Sequence, residues 1–312
     1  MITKNKYLYF ASRLFLLFLI VFLFDFSIGK FLRYFYFKQQ WGRQYRATYA
    51  IEKTRADVVI FGSSRAYHHY VPNIIEGSLK LSCYNTGSPG QFLFYSYAVL
   101  KAVLKRYTPK VVILDVTAND LQIDNESYDR LSFLLPYYKT HEELRPIINL
   151  KSPFEKVKLL SSIYPFNSTF LMIAGGNADY FKKKTSDIKG YKPLFGIWDT
   201  PIEVKNIAPY KIDSTKLNIF KSFIEDCRKA ETKLFIVCSP FFIRYDQKDY
   251  SLLVMKKIAN EKNTDFIDFV NDTSFINHSY LFDNPGHLNA RGAMLFTYRV
   301  MDSIVKLKKD LH

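Results

Sequence analysis

The chain has 312 residues, long enough for one large domain or two small ones. Nearly half of them (48%) are hydrophobic, with 28 Phe and 23 Tyr, so a substantial core can be buried. A mean hydropathy of −0.10 excludes a polytopic membrane protein and leaves one globular body with a greasy segment attached.

That segment is N-terminal. Residues 14–24 read LFLLFLIVFLF, with no polar side chain. A spanning helix needs about 20 residues, and extension to Tyr7 and Ile28 admits Arg13 and Asp25 only near the ends. Tyr7, Tyr9, Tyr34, Tyr36 and Trp41 supply interfacial aromatics. No small-x-small cleavage site follows, which favours an uncleaved anchor over residues 1–30 rather than a signal peptide or a buried helix. Residues 31–55 then read as a juxtamembrane linker. Lys4 and Lys6 precede the apolar run and Lys30, Arg33, Lys38, Arg43 and Arg46 follow it. Counted alone, these charges place the C-terminal bulk inside the cell.

From residue 56 strand and helix patterns alternate. ADVVIF (56–61) is a short β-branched run, as in a strand buried on both faces. LKLSCYN (79–85) reads as a second strand, residues 91–107 as a helix stopped by Pro109, and KVVILDV (110–116) as a third strand. Later come an amphipathic helix (215–231), a strand (232–238), a helix (250–261), a strand (264–270) and a closing helix (289–307). Alternation at these lengths implies an α/β, flavodoxin-like three-layer sandwich whose central parallel sheet has about five strands. Residues from about 121 to 213 break the pattern with aromatics, Pro136, Pro146, Pro153, Pro165 and a lysine run, and are expected to form a mainly helical insertion.

The formal charge of +15 suits an anionic lipid surface around the anchor. The lysine runs at 182–184, 256–257 and 306–309 read as solvated faces, since no nucleic-acid-binding motif accompanies them. Cys83, Cys227 and Cys238 match no zinc spacing and read as buried thiols. With no glycine-rich nucleotide motif either, neither a metal nor a cofactor is expected.

In open parallel sheets ligands bind beyond the carboxyl ends of the strands. That rim collects Gly62-Ser63-Ser64-Arg65, Gly87-Ser88-Pro89-Gly90 and Thr117-Ala118-Asn119-Asp120, with Asp283 and His287 in the loop before the last helix. A serine hydroxyl becomes a nucleophile when a histidine takes its proton, and a carboxylate orients the imidazole. Preorganised N–H donors then hold the tetrahedral oxyanion. Each residue also has a plainer reading. Ser64 suits a helix N-cap, and His68 and His69 suit surface or substrate-edge positions. Arg65 suits a substrate carboxylate or a nearby acid, and Asp120 suits the bracing of its own loop.

Four stretches in order, GSSR, NTGSPGQ, TAND and DNPGHLN, resemble the four blocks of the SGNH, or GDSL-like, hydrolase superfamily. The resemblance covers residues 57–120 and 215–305, so the hydrolase-like domain is expected over 56–312. It implies Ser64 as nucleophile, His287 as base and Asp283 as its partner. It also implies that the N–H groups of Ser64 and Gly90 and the Asn119 amide form the oxyanion hole. Two departures stand out. Ser63 occupies the place of the family's Asp before the nucleophile, and Asn284 stands three residues before His287, where the family acid usually sits, with Asp283 one further back. Asn284 is therefore an alternative orienting group.

Membrane-anchored members of the superfamily carry similar serine blocks. The resemblance thus implies an esterase or O-acyltransferase for acyl, in particular acetyl, esters of cell-envelope polysaccharide or teichoic acid. Such members work beside a multi-span acyltransferase, with the domain outside the cytoplasmic membrane, against the simple charge count. Two other readings stay open: a non-catalytic scaffold or glycan-binding subunit, and an intracellular lipase or thioesterase at the inner face.

Overall fold

The computed structural model describes residues 2–178, 187–245 and 248–309. The lysine run at 182–184 lies outside the described residues. The strands in chain order are β1 (Val58–Phe61), β2 (Cys83–Asn85), β3 (Val111–Val116), β4 (Glu203–Lys205), β5 (Lys233–Cys238), β6 (Ile243–Tyr245), β7 (Asp265–Asp268), β8 (Phe282–Asn284) and β9 (His287–Leu288). Five of them form one parallel sheet in the order β2-β1-β3-β5-β7, the flavodoxin-like order, with helices on both faces. β4 pairs with β6, and β8 with β9 as an antiparallel hairpin.

Alternation along each strand divides the core in two. Val59, Phe61, Val112, Leu114 and Ile236 face a layer built on the Leu93–Arg106 and Ser214–Lys229 helices. Val58, Ile60, Ile113, Phe235 and Val237 face the other, where Phe296, Val300 and Ile304 of the closing helix (Ala290–Lys309) pack. Every residue of β1 and β3 is buried, which explains why these strands read as unbroken apolar runs.

Three expectations need correction. The second strand is only Cys83–Asn85, because Leu79 ends the Pro72–Leu79 helix and Lys80 caps it in the left-handed region (φ 57°). The insertion is helical in short turns as far as Asn177, but from residue 187 it is largely extended and contributes β4. Residues 31–55, expected to be a linker, are helical and belong to the body. One helix runs from Ile2 to Lys38, followed by Gly42–Thr48 and a π-helical turn, Tyr49–Lys53. Leu32, Tyr36, Ala50 and Ile51 are buried in the first core layer. The reason is a helix with two different environments, apolar all round at first and one-sided after Gly29, so no single period marks it.

At 1.5 Å per residue that first helix is about 55 Å long, more than the roughly 30 Å of a bilayer core. It is the one helix among the described residues long and apolar enough to cross a membrane. Its side chains from Tyr7 to Phe24 are largely exposed, whereas Asp25 is tied down. The Asp25 carboxylate accepts from Ser161 Oγ (2.5 Å), Ser162 N (2.6 Å) and Ile163 N (3.3 Å). Gly29 touches the same loop, since a β-carbon there would lie 2.3 Å from Ser162 Cβ.

At the end of β1 the chain turns through Gly62, at φ +146°. A methyl at this position would sit 2.8 Å from Ala66 Cβ and 3.0 Å from Asp115 Cβ. Gly62→Ala is therefore expected to lower stability by about 1–3 kcal/mol, read as the urea midpoint of the detergent-solubilised protein. An unchanged midpoint would contradict the tight turn.

Candidate active site

Ser64 opens the short helix Ser64–His69, whose N-cap Ser63 accepts weakly from Arg65 N (3.4 Å). Gly87, in the turn after β2, lets that helix approach, for a β-carbon on it would meet Tyr67 N at 2.5 Å. The nucleophile candidate thus sits at the carboxyl end of β1, with the β2 turn against it.

His287 reaches the same point from the β8–β9 hairpin, and its Nε2 lies 2.8 Å from Ser64 Oγ. Its Nδ1 lies 2.9 Å from Asn284 Oδ1. In a hairpin with a two-residue loop, here Pro285-Gly286, residues i and i+3 face each other across the strands, and Asn284 is paired with His287. Successive side chains on a strand alternate, so Asp283 falls out of line with the imidazole. The expectation that Asp283 orients His287 is corrected on this geometry: Asn284 makes that contact.

The network fixes which way the amide faces. Gly286 N–H donates to Asn284 Oδ1 (3.0 Å), and Asn284 Nδ2 donates to Asp283 Oδ2 (3.1 Å). Oδ1 must therefore accept from His287 Nδ1–H, which leaves Nε2 unprotonated to accept the Ser64 hydroxyl proton. An asparagine facing the other way would impose the wrong tautomer and disable the base. Asp283 is held in turn by Gly196 N–H (2.7 Å) from the insertion. The same strap bonds Trp198 N to Phe282 O and Asn289 Nδ2 to Gly196 O.

Electrostatics keep the imidazole neutral. Burial, then His68 and Arg65, lower the His287 pKa to about 4, against a smaller opposing effect of Asp283. His68 donates Nδ1–H to Lys192 O (2.7 Å) and stands edge-on to His287, with ring centroids 5.4 Å apart. His69, expected at the surface, is fully buried, and its Nε2 accepts Leu288 N–H (3.0 Å), pinning the hairpin to the nucleophile's helix.

Arg65 binds no acid in hydrogen-bond contact and does not reach the surface, being 7% exposed. Its guanidinium donates to Thr117 Oγ1 (2.8 Å), Ser239 Oγ (3.0 Å) and Ser239 O, and it lies over the Phe241 ring. It clamps the ends of β3 and β5 beneath the site. Asp120 accepts Thr117 N–H (2.8 Å) and so braces the loop carrying Asn119. Asn119 itself is exposed at φ +65°, and its N–H points to Asp249 Oδ1 (3.3 Å). Gly90 lies in the β2 turn at φ +64°, facing Arg130. No group of three or more metal-ligating side chains occurs among the described residues. Sequence reasoning missed the Gly196 strap, His69 and Arg130, none of which carries a periodic or motif signal.

No family model and no curated protein matches the chain. Among solved structures it is similar to the psychrotrophic esterase EstA from Pseudoalteromonas sp., in a form inhibited by monoethylphosphonate. That match has 12% identity and a TM-score of 0.43, covering 81% of this chain and 98% of the other. It is also similar to a protein of the G-D-S-L family from Desulfitobacterium hafniense DCB-2, with 11% identity, a TM-score of 0.36, and 79% and 98% coverage.

The two carboxamide-strand neighbours are separable by mutation. If the site is used as a base, Asn284→Ala should lower kcat by about 10²–10³, while Asp283→Asn should cost about tenfold or less. The reverse order would return Asp283 to the orienting role. A base must be unprotonated to act, so kcat/KM should fall on the acid side with a midpoint near the His287 value of about 4. Asn284→Asp, which adds a carboxylate beside the ring, should move that limb to higher pH; a limb that stays in place would contradict the assignment.

Proposed function

We propose that this chain is a membrane-anchored SGNH-type serine esterase or O-acyltransferase acting on acyl, chiefly acetyl, esters of cell-envelope polysaccharide. The observation that carries the reading is the relay from Ser64 Oγ through His287 to the Asn284 carbonyl, at 2.8 Å and 2.9 Å. Such a relay serves no purpose in a purely structural turn, and it weighs against the scaffold reading.

In the proposed reaction Ser64 Oγ attacks the ester carbonyl while its proton passes to His287 Nε2. The backbone N–H groups of Ser64 and Gly90 and the Asn119 amide receive the oxyanion. Collapse returns the proton from His287 to the leaving alcohol and leaves an acyl-Ser64 ester. Water, or a sugar hydroxyl, then attacks with His287 again as base, and Ser64 is released. With Asn284 in place of a carboxylate, the imidazolium formed in each step gains only from the more distant Asp283. The imidazole is correspondingly more acidic and gives its proton readily to a poor leaving group.

The anchor follows from the Tyr7–Ile28 segment and from what lies level with its end. Beside the Asp25 loop the insertion exposes Phe154, Val157, Leu160 (78%) and Leu171 (87%), a cluster suited to the acyl boundary of the bilayer. We place the domain on the periplasmic or outer side. The cations after the span speak less strongly for the inner side than their number suggests. Arg33 donates to Pro136 O, and Arg46 is paired with Asp187, so both are engaged by protein. A multi-span acyltransferase would supply the acyl group if the reaction is a transfer.

The test is hydrolysis of acetylated glycans and small acetate esters by the full-length protein in detergent. Acetate release should be lost in Ser64→Ala and fall about 10–10³-fold in Asn119→Ala. Activity that survives Ser64→Ala would overturn the proposal. In spheroplasts, added protease should digest the domain; full protection would place it inside.

A further inference from the structure

A cavity of about 790 Å³ opens beside the candidate site, between the Gly42–Thr48 helix, the β2 turn and the insertion. It is continuous with the site on two sides. His68, edge-on to His287, lines it, and Arg130 Nη1 would lie 3.8 Å from a β-carbon on Gly90, between the lining residues Pro89 and Gln91.

Its charge is one-sided. Arg43, Arg46, Arg130 and Lys192 line it, and among the described residues no Asp or Glu does. Arg46 is paired outside the lining with Asp187 (2.8 Å), and Arg130 with Glu126 (2.6 Å) on an exposed helical turn. Arg43 differs. Its Nε and Nη2 are buried without a hydrogen-bond partner, and its guanidinium lies 4.5 Å from the Phe133 ring centroid. Arg46 and Arg130 are near enough to add to burial in lowering its pKa. A buried guanidinium with two unsatisfied nitrogens, crowded by two more, is costly unless an anion completes it.

We propose that this cavity is a substrate subsite for an oxyanion, a phosphate or carboxylate group carried by the acyl ester, with Arg43 as its central ligand. The planar guanidinium fork suits such a group, and Arg130 and Lys192 flank it. This deepens the hydrolase reading and rests on it for the role of the bound group. It makes the preferred acyl ester anionic, such as a polyol-phosphate or uronic acid unit, and holds that charge next to Gly90 while the ester lies at Ser64.

Binding and turnover are measured separately on the full-length protein in detergent. By calorimetry, Ser64→Ala should bind glycerol 3-phosphate, and inorganic phosphate should compete with it. Arg43→Gln should weaken binding at least tenfold, and Arg43→Lys should restore part of it. Lys192→Gln, at a less buried position, should weaken it several-fold and guards against misfolding of the Arg43 variant. In turnover, acetylated glycerol 3-phosphate should exceed acetylated glycerol in kcat/KM by at least tenfold, and Arg43→Gln should remove the preference. Vesicles containing phosphatidylglycerol distinguish the sources. Competition by vesicles alone, and not by soluble phosphates, would assign the anion to a lipid headgroup and overturn the substrate subsite. Hydrolysis of neutral esters without anion binding would also overturn it while leaving the hydrolase intact. Anion binding with no hydrolysis of any ester would uphold the anion site and remove the hydrolase reading instead.

Discussion

One carboxamide decides what this site can do. Asn284 is held at both ends, its oxygen by Gly286 N–H and its nitrogen by the Asp283 carboxylate, so it cannot turn over. Because its oxygen faces His287, the proton of the neutral imidazole must sit on Nδ1, and Nε2 is free to face Ser64. The carboxylate that would usually stand here is displaced by one link of hydrogen bonds. Asp283 fixes the amide, and the amide fixes the ring. Orientation is thereby kept, while direct stabilisation of an imidazolium is given up, in line with the depressed His287 pKa.

Everything around that amide serves to hold two distant segments together, 223 residues apart in sequence. His69 bonds the hairpin backbone to the nucleophile's own helix, the Gly196 strap supports Asp283 from the opposite side, and Arg65 ties the ends of β3 and β5 below. The first helix extends this frame toward the membrane. Since Leu32 and Tyr36 are core residues and Asp25 bonds the Ser161–Ile163 loop, an anchor there would hold the domain at a fixed height and tilt. A substrate at the bilayer surface would then meet a site already oriented toward it.

Much of the architecture could be read from sequence because parallel strands buried on both faces leave short β-branched runs. VVIF and VVILDV are such runs, and their Gly and Ser endings placed Ser64 and Gly90 at one rim. The partner of His287 was harder. Spacing alone leaves residues three and four before it equal, and only the two-residue hairpin, a tertiary feature, selects Asn284. Residues 31–55 misled for another reason: a helix that buries one face and lines a cationic cavity with another has no clean period. The cavity cations themselves come from residues 43, 46, 130 and 192, brought together by packing with no local pattern.

The central claim is that Ser64 is activated by a neutral His287 held by Asn284. Mass spectrometry of the detergent-purified protein after reaction with a fluorophosphonate, followed over pH, tests it most directly. The account predicts a single adduct on Ser64, absent in Ser64→Ala and slowed in His287→Ala. Its rate should hold into mildly acid solution and fall as pH approaches about 4, where His287 gains its proton. An adduct elsewhere, no adduct, or labelling of Ser64 indifferent to His287→Ala would contradict it.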